Sequence, residues 1–293
     1  MNKEIDIAHI HMASNGSFYR KSIIALLCKA FKVPVTIHIH GACFKEFYNS
    51  MSKIHKKYFF YVFKRVDKVI VLTESWENFF LQFVAKDKIE IVSNFTFLPK
   101  EDFNKLFIKK EKKEKVEILF LGRLGKRKGT YDLINAAEIL KNRNNKFRVI
   151  LAGDGEIEKC KDMIKQKKLS EFVDVVGWVG KDEKEKYLKE SDILVLPSYF
   201  ESFGLSLIEA MSYKIPVIAS WGGEMSEVVR DDIDGMLITP GNVEELADKI
   251  EILIKDREVR KRFSESGYKR VCENFSDEIV TKKLTKIYLE LLK

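Results

Sequence analysis

Short apolar runs alternate with amphipathic stretches along the first part of the chain. The runs Ile5–Ile10 and Val33–Ile39 are typical of buried strands. Ile23, Leu27 and Phe31 follow the spacing of one helix face. Because strands alternate with helices, this segment is predicted to form parallel βαβ units. The other elements predicted here are a loop over 11–16, helices over 17–31, 52–66 and 74–83, and strands over 69–72 and 89–92.

The helix predicted over 52–66 is rich in aromatic residues. The rings that crowd into less than two of its turns are Tyr58, Phe59, Phe60, Tyr61 and Phe63. A helix that is apolar all round is usually buried, so we expect these rings in the core of the first domain. Exposure of some of them to lipid is the alternative.

The alternation resumes at Val116. Strands are predicted over 118–121, 147–151, 173–176, 193–196, 217–219 and 235–238, and helices over 130–141, 156–167, 184–190, 205–212 and from 243 onward. This order predicts a second doubly wound α/β domain. Residues 106–115 between the two domains are rich in lysine and lack a continuous apolar face, which is typical of an exposed linker. Binding of anionic lipid headgroups is the alternative for this linker.

Composition sets the scale and excludes several classes of protein. At about 100–200 residues per domain, 293 residues indicate two domains, and the 45% of hydrophobic residues can supply their cores. The net charge of +8 is spread along the chain, so it favours anionic ligands or an anionic membrane surface over a dedicated nucleic-acid binder.

The four cysteines form no CxxC pair, which argues against a zinc ribbon and fits a reducing compartment. Neither a secretory signal nor a membrane-spanning run is visible, so a cytoplasmic location is expected.

The segment Gly122–Gly129 combines glycines with cations directly after a predicted strand. In an open parallel sheet, ligands bind beyond the carboxyl ends of the strands, where this loop falls. Gly122 allows a ligand to approach the backbone, Arg123 can fork onto phosphate oxygens, and Lys128 supplies a mobile positive charge. The spacing is not that of a Walker A loop. An exposed basic turn without a ligand is the alternative.

Two carboxylates flank the start of the helix predicted over 205–212. Glu201 lies in the loop before it, and Glu209 lies in its second turn. The backbone N–H groups near Phe203–Leu205 form a helix N-terminus, which is suited to an anion. Carboxylates for hydroxyls and N–H groups for phosphates favour a sugar nucleotide as the ligand. Two glutamates without a ligand are the alternative, although an unpaired carboxylate in the apolar run around Glu209 would be costly.

These motifs resemble the nucleotide-sugar domain of retaining GT-B glycosyltransferases of glycosyltransferase family 4, also called group 1. The resemblance covers residues 116 to about 275 and rests first on the loop Gly122–Gly129 and on the Glu-x7-Glu spacing of Glu201 and Glu209. Further motifs in the family's order are Ala152-Gly153-Asp154-Gly155, Val176-Gly177-Trp178-Val179, Gly222-Gly223…Glu227-Val228-Val229 and Asp234-Gly235. The resemblance implies a GT-B-like α/β fold of two Rossmann-like doubly wound domains facing a cleft. It also implies that the first part of the N-terminal domain is missing, so that this domain is shortened.

The same resemblance implies roles for individual residues. Arg123 and Lys128 should hold the donor diphosphate and act in catalysis. Glu201, also counted as catalytic, should contact the hydroxyls of the transferred sugar, and Glu209 should hold the ribose. The remaining donor-binding residues implied are Gly122, Phe203, Gly204 and Leu205, with the base near Gly177, Trp178 and Val179.

Four of the five histidines form two matching pairs, His9-Ile10-His11 and His38-Ile39-His40, at the ends of two adjacent predicted strands. The resemblance implies that His40 faces the donor sugar as a catalytic residue, with His11 as the second candidate. It assigns the acceptor side to the loop Ala13–Ser17 and its surroundings, with His11, Ser14, Asn15 and Arg20. Structural histidines are the alternative. Metal ligation is not expected, because no nearby carboxylate completes a ligand set.

Asp232-Ile233-Asp234 matches the Asp-x-Asp pattern of metal-dependent GT-A glycosyltransferases. Asp234-Gly235 is better explained as a turn before a short strand, so no metal is expected there either.

The expected activity is transfer of a hexosyl unit from a nucleotide diphosphate sugar to a saccharide or lipid-linked saccharide, with retention and without a cofactor, in surface polysaccharide assembly. The inner face of the membrane is a further expected location. A non-catalytic nucleotide-sugar-binding or partner subunit is the alternative, and a basic protein associated with nucleic acid is a second. The expected domains are an acceptor-side domain over 1–105, the linker over 106–115, the donor domain over 116–275, and a helix over 276–293 that packs back on the N-terminal domain.

Overall fold

The computed structural model describes residues 5–41, 43–101, 103 and 114–293. The chain divides into two compact units. One comprises the chain up to Asn94 together with Glu278–Lys293, and the other comprises Phe95–Asp277. Most of the expected linker, residues 106–113, lies outside the described residues.

The first unit is built on a parallel four-stranded sheet in the order β1-β2-β3-β4. Its strands are β1 (Ala8–Met12), β2 (Val35–Ile39), β3 (Lys68–Val71) and β4 (Ile89–Ile91). The helices that connect them are α1 (Gly16–Ala30), α2 (Phe44–Ser50), α3 (Lys53–Arg65) and α4 (Glu74–Phe80), with a 3-10 turn at Lys86–Lys88. The strands and helices predicted for this segment are present, with shifted ends.

Two details of the first unit differ from the prediction. The loop predicted over 11–16 starts too early, because His11 and Met12 continue β1 and pair with β2. The helix α2 is absent from the prediction, because Phe44 and Phe47 are its buried positions and two residues are too few for a helical period to stand out.

The expectation of an aromatic core is confirmed for the inward side of α3. The fully buried rings that share this core are Phe18, Phe44, Phe59, Phe63 and Phe80. Such pairs prefer tilted or offset geometry, as for Phe59 and Phe63, whose centroids are 4.5 Å apart at 43°. Phe60 and Tyr61 are 47% and 45% exposed, so the expectation of burial is wrong for these two rings, which lie on the outward side of the helix.

The second unit is built on a six-stranded parallel sheet in the order β10-β9-β8-β5-β6-β7. Its strands are β5 (Val116–Leu121), β6 (Phe147–Ala152), β7 (Val173–Gly177), β8 (Ile193–Leu196), β9 (Val217–Ser220) and β10 (Gly235–Ile238). Its helices are α5 (Thr130–Asn142), α6 (Ile157–Gln166), α7 (Lys181–Glu190), α8 (Leu205–Ser212), α9 (Met225–Val228), α10 (Val243–Lys255) and α11 (Arg257–Asn274). The order reverses beside β5, so the carboxyl ends of β5 and β8 form the switch point where ligands bind in such sheets.

The second unit begins earlier in the chain than the sequence suggests. Thr96 forms a parallel bridge with Ser276, and its N–H donates to the carbonyl oxygen of Phe275 at 2.9 Å. This pairing ties the segment after Asn94 to the second unit, so the division falls at 94/95 where the sequence places the end of the first domain at 105.

The last helix, α12 (Asp277–Leu291), returns the chain to the first unit. Val280 and Ile287 on this helix pack with Ile70 of β3 and with Val92 in one buried apolar cluster. Among the helices of the described residues, none combines the length and the apolar character that crossing a bilayer requires.

Asp234 is fully buried beside the start of β10. Arg230 donates to it from Nε at 2.6 Å and from Nη2 at 2.8 Å, and the Ser266 hydroxyl donates at 2.8 Å. Burial alone would raise the pKa of Asp234, but the hydrogen bonds from Arg230 and Ser266 hold it below its ordinary value. Asp232 is exposed in the turn before it. Asp234 therefore stabilises the turn and the strand that follows, as expected for Asp234-Gly235.

We predict that Asp234→Asn lowers the free energy of unfolding by about 2–4 kcal/mol, because it removes the buried charge that pairs with Arg230 and with the largely buried Arg270. Denaturant unfolding at neutral pH measures this. Because the pKa of Asp234 is lowered on folding, its contribution is present above about pH 4 and is lost as the pH falls.

The matched control is Asp232→Asn, which should change stability by less than about 0.5 kcal/mol, since asparagine tolerates the left-handed backbone there. Equal stability of the two variants at neutral pH would contradict the assignment of Asp234 to the fold.

Candidate functional site

The predicted Gly122–Gly129 loop, here called the donor loop, follows β5 and lies against the loop after β6. The Gly122 N–H donates to the carbonyl oxygen of Ala152 at 3.0 Å, and the Leu124 N–H donates to that of Asp154 at 2.6 Å. A Cβ on Gly153 would lie 1.9 Å from the Gly122 carbonyl oxygen, so only glycine permits this approach. The two strand-end loops are therefore fixed to each other through their backbones.

On its other side, the donor loop contacts the loop after β8. Gly129 has a left-handed backbone (φ 70°), and a Cβ there would lie 2.0 Å from the carbonyl oxygen of Pro197. The Tyr199 N–H donates to the carbonyl oxygen of Arg127 at 2.9 Å, and Arg127 Nη1 donates to that of Phe200 at 3.2 Å. We call residues 197–204 the Glu201 loop. The close contact between the Glu201 loop and the donor loop requires glycine at position 129, because a side chain there would collide with Pro197.

This contact brings together Lys128 and Glu201, which are 73 residues apart in sequence. Lys128 Nζ forms an ion pair with Glu201 Oε2, and the exposed fractions of the two side chains are 16% and 13%. A salt bridge that is largely withdrawn from water interacts more strongly than a surface pair, since solvent screens it less. The structure thus holds a cation and a carboxylate side by side at the carboxyl end of β8.

The Glu201 loop leads directly into α8. Gly204 takes a left-handed backbone (φ 81°) at the residue before the helix, and Phe203 is buried beneath it. Leu205, the first helical residue, is exposed. The helix N-terminus predicted near Phe203–Leu205 is therefore present and has the positive end of a helix dipole.

Glu209 lies in α8 and has a partner that the sequence did not suggest. Lys184 of α7 donates from Nζ to Glu209 Oε1 at 2.6 Å, and the Glu209 side chain is mostly buried. The Glu209 carboxylate, which the sequence places in an apolar run, therefore has a charged partner and is not left unpaired. No spacing signal could reveal it, because the two residues lie on different helices.

Arg123 is placed differently from Lys128. It is exposed, and its Nη1 lies 3.1 Å from Oδ2 of the exposed Asp154. A pair of this kind contributes little to stability, about 0–1 kcal/mol, so the guanidinium can turn towards an anion at little cost.

Gly177 is the last residue of β7, and Trp178 and Val179 follow it. The Gly177 carbonyl oxygen accepts the Gly153 N–H at 2.7 Å, which places this segment beside the loop after β6. The Trp178 ring is 75% exposed, and Val179 is half-buried. The predicted base-binding segment thus lies at the same edge of the sheet as the donor loop.

In the first unit, β1 and β2 place four histidines together. His11 lies opposite His38 in the parallel register. His9 Nε2 is 3.3 Å from His38 Nδ1, and His11 Nδ1 is 2.7 Å from His40 Nε2. The ligand nitrogens of His9, His11 and His38 lie within 4.8 Å of one another. The two strand-end pairs predicted from sequence are therefore one cluster of imidazoles.

The cluster is electrostatically unfavourable for protons. Burial, reinforced by the neighbouring imidazoles, lowers the pKa of His9 and of His40 to about 4. The same two causes lower the pKa of His38 to about 2, with the backbone of Val92 acting in the opposite direction. Burial and Lys21 lower the pKa of His11. All four rings are therefore neutral near pH 7.

The predicted acceptor-side residues lie around the start of α1. Asn15 precedes the helix with a left-handed backbone (φ 57°), and its Nδ2 donates to Ser14 Oγ at 3.5 Å. Arg20 is exposed and donates from Nε to the Gly16 carbonyl oxygen at 3.3 Å. A Cβ on Gly41 would lie 3.0 Å from the Ser14 nitrogen, so the loops after β1 and β2 lie against each other.

Comparison with known proteins identifies relatives of the chain. The family model described as Glycosyl transferases group 1 matches residues 101–270. The chain is 31% identical to the uncharacterized glycosyltransferase MJ1069 of Methanocaldococcus jannaschii over 282 residues, which cover 89% of this chain and 70% of that protein. It is 26% identical to the amylovoran biosynthesis glycosyltransferase AmsK of Erwinia amylovora over 249 residues, which cover 83% of this chain and 60% of that protein.

A likeness also exists among solved structures. HepE of Anabaena, crystallised in complex with UDP, matches with a TM-score of 0.81 at 19% identity, covering 97% of this chain and 79% of that chain. At this identity the likeness concerns the fold alone. The expected GT-B-like pair of doubly wound α/β domains is confirmed.

We predict that Lys128 and Glu201 are coupled by about 1–3 kcal/mol in the free energy of unfolding. Removal of either side chain leaves the charge of the other largely buried and unpaired. A double-mutant cycle with Lys128→Met and Glu201→Gln measures the coupling. Lys126, exposed in the same loop, provides the control: Lys126→Met should show no coupling with Glu201→Gln. A Lys128–Glu201 coupling no larger than this control would contradict a strong pair.

Proposed function

Because the chain belongs to the group 1 glycosyl transferase family, we propose that it transfers a hexosyl unit from a nucleotide diphosphate sugar to an acceptor hydroxyl in polysaccharide biosynthesis. The observation that carries the donor part of this proposal is the Lys128–Glu201 ion pair. It joins a cation to a carboxylate at the switch point of the second sheet, where ligands of such sheets bind. A donor with both phosphates and hydroxyls offers a partner to each.

Lys128, Arg123 and the N-terminus of α8 bind the donor diphosphate in this proposal. Lys128 is a nearly buried point charge, and Arg123 is an exposed guanidinium that can fork onto phosphate oxygens. The backbone donors of Phe203, Gly204 and Leu205 add the positive end of the helix. Gly122 leaves room for a ligand beside the backbone of the donor loop.

The two glutamates bind hydroxyl groups. Glu201 accepts hydrogen bonds from the transferred sugar when the diphosphate draws Lys128 towards itself. Glu209 accepts hydrogen bonds from the ribose, and Lys184 orients its carboxylate through Oε1. The base then lies against Gly177, Trp178 and Val179, where backbone groups read its edge and the exposed indole is available for stacking.

The main barrier to transfer is charge separation as the sugar–phosphate bond breaks. Lys128, Arg123 and the helix N-terminus lower it by stabilising the negative charge that grows on the diphosphate. The leaving phosphate accepts the proton of the acceptor hydroxyl on the same face of the sugar, which gives retention without an enzymic nucleophile. His40 as a catalytic residue and His11, Ser14, Asn15 and Arg20 as acceptor-side residues complete the proposal.

The acceptor in this proposal is a saccharide or a lipid-linked saccharide, and two helices of the first unit support the lipid-linked form. Neither α1 nor α3 contains an Asp or Glu, whereas each carries several Lys or Arg residues. Their exposed apolar side chains are Ile23, Ile24, Leu27, Ile54, Phe60 and Tyr61. Apolar side chains among cations suit an anionic bilayer surface such as the inner face of a cell membrane.

We predict that the protein co-sediments with vesicles containing phosphatidylglycerol and not with vesicles of phosphatidylcholine alone, and that salt weakens binding. Leu27→Glu, which puts a negative charge on α1, should weaken binding at least several-fold. Ile252→Glu on α10 is the matched control and should bind like the wild type. Equal loss in the two variants would contradict a surface on α1.

We predict that one class of nucleotide sugar raises the Tm in a panel of UDP-, GDP- and ADP-sugars, since a ligand that binds only the folded protein stabilises it. Arg123→Ala should weaken the affinity about 10-fold or more, because it removes a charge-assisted contact to phosphate. Lys126→Ala, a charge change of the same kind in the same loop, should leave the affinity near that of the wild type. Absence of stabilisation by every donor, or equal effects of the two variants, would contradict the donor assignment.

A further inference from the structure

We propose that His9, His11 and His38 bind a divalent transition-metal ion such as Zn²⁺, with His40 and Tyr288 as residues that orient the ligands. This site lies wholly within the first unit. It shares His11 and His40 with the acceptor side of the proposed function, so its test measures metal binding and not turnover.

His9, His11 and His38 lie close enough together to share one ion. Their ligand nitrogens lie within 4.8 Å of one another, and His9 Nε2 is 3.3 Å from His38 Nδ1. Zn–N bonds of about 2.0–2.1 Å in a tetrahedral site place two ligand nitrogens about 3.3–3.4 Å apart. The His9–His38 pair therefore already has the separation of two ligands of one ion, and a nitrogen of His11 lies within 4.8 Å of both as the third ligand.

The hydrogen bonding of the His38 ring is the second observation that favours an ion. Each neutral imidazole has one N–H donor and one acceptor nitrogen. His38 Nε2 is buried without a hydrogen-bond partner among the described residues, and the His38 side chain is only 5% exposed. With the proton on Nε2, His38 Nδ1 presents a lone pair towards His9. That lone pair accepts a hydrogen bond of 3.3 Å from His9 Nε2, and an ion held by both nitrogens would replace this bond.

Tyr288 and His40 lie beside two of the three histidines and can orient their rings. Metal-bound histidines usually make a second hydrogen bond that fixes the tautomer and the ring orientation. His9 Nδ1 lies 2.5 Å from the Tyr288 hydroxyl, which leaves His9 Nε2 for the ion. His11 Nδ1 lies 2.7 Å from His40 Nε2. Two of the three ligands thus have an orienting partner.

This proposal revises the sequence expectation of no metal at the histidines. That expectation rests on the lack of a nearby carboxylate, but three imidazoles are a sufficient protein ligand set for zinc with an open fourth position. The sequence could show neither the parallel register that pairs His11 with His38 nor Tyr288, which is 279 residues from His9.

The test uses the full chain without a polyhistidine tag, stripped of metal by a chelator. Titration with Co²⁺ should give a visible absorption band typical of tetrahedral nitrogen ligation, saturating at one equivalent, and Zn²⁺ should displace it. His38→Gln and His11→Gln should each weaken Co²⁺ binding at least 10-fold. His55→Gln, which alters the remaining histidine on α3, should bind like the wild type.

His11 is exposed, so His11→Gln keeps the test valid if His38→Gln fails to fold. Tyr288→Phe should weaken Co²⁺ binding about 10–100-fold while keeping the shape of the absorption band, as expected for a residue that acts through His9. Absence of a band in the wild type, full binding by His11→Gln, or loss of binding in His55→Gln would overturn the proposal.

Discussion

The ion pair between Lys128 and Glu201 is the contact on which the candidate site of the second unit depends. The pair can form because the donor loop and the Glu201 loop approach each other closely at Gly129 and Pro197. A side chain at position 129 would not fit between them. The first loop leads into α5 and the second into α8. The two largely buried charges satisfy each other. In the proposed function, a phosphate and a sugar hydroxyl replace this contact with one partner for each charge.

The two units use charge in opposite ways. In the second unit, each candidate donor side chain with a charge stands against one of opposite sign: Lys128 with Glu201, Lys184 with Glu209, and Arg123 with Asp154. In the first unit, the clustered histidines face one another, and burial, with a smaller effect of the neighbouring rings, lowers the pKa of His9, His38 and His40. The first arrangement suits a ligand that carries both anionic and hydroxyl groups, and the second suits a cation that imidazole nitrogens can bind.

Much of the fold follows from local pattern, and most of the pairing does not. The helix 205–212 and the strands 193–196 and 235–238 have the predicted bounds, because apolar runs, with glycines before the helix and at the last strand, mark them clearly. The helix α2 was missed because two buried aromatic residues do not make a period. The positions of Glu201, Glu209 and the histidine pairs were predicted from motifs. Their partners Lys184 and Tyr288 were not, because those contacts arise from the packing of separate helices.

The most direct test of the account is turnover in the double variant Lys128→Met/Glu201→Gln, measured as release of nucleoside diphosphate from the donor that the panel identifies. Removing both charges leaves neither one buried alone, so the double variant should retain more stability than the sum of its single changes implies. Its turnover should nevertheless fall about 100–1,000-fold, because the charge that stabilises the leaving diphosphate is gone. Turnover close to that of the wild type in a folded double variant would contradict the account, since the pair would then serve the fold alone.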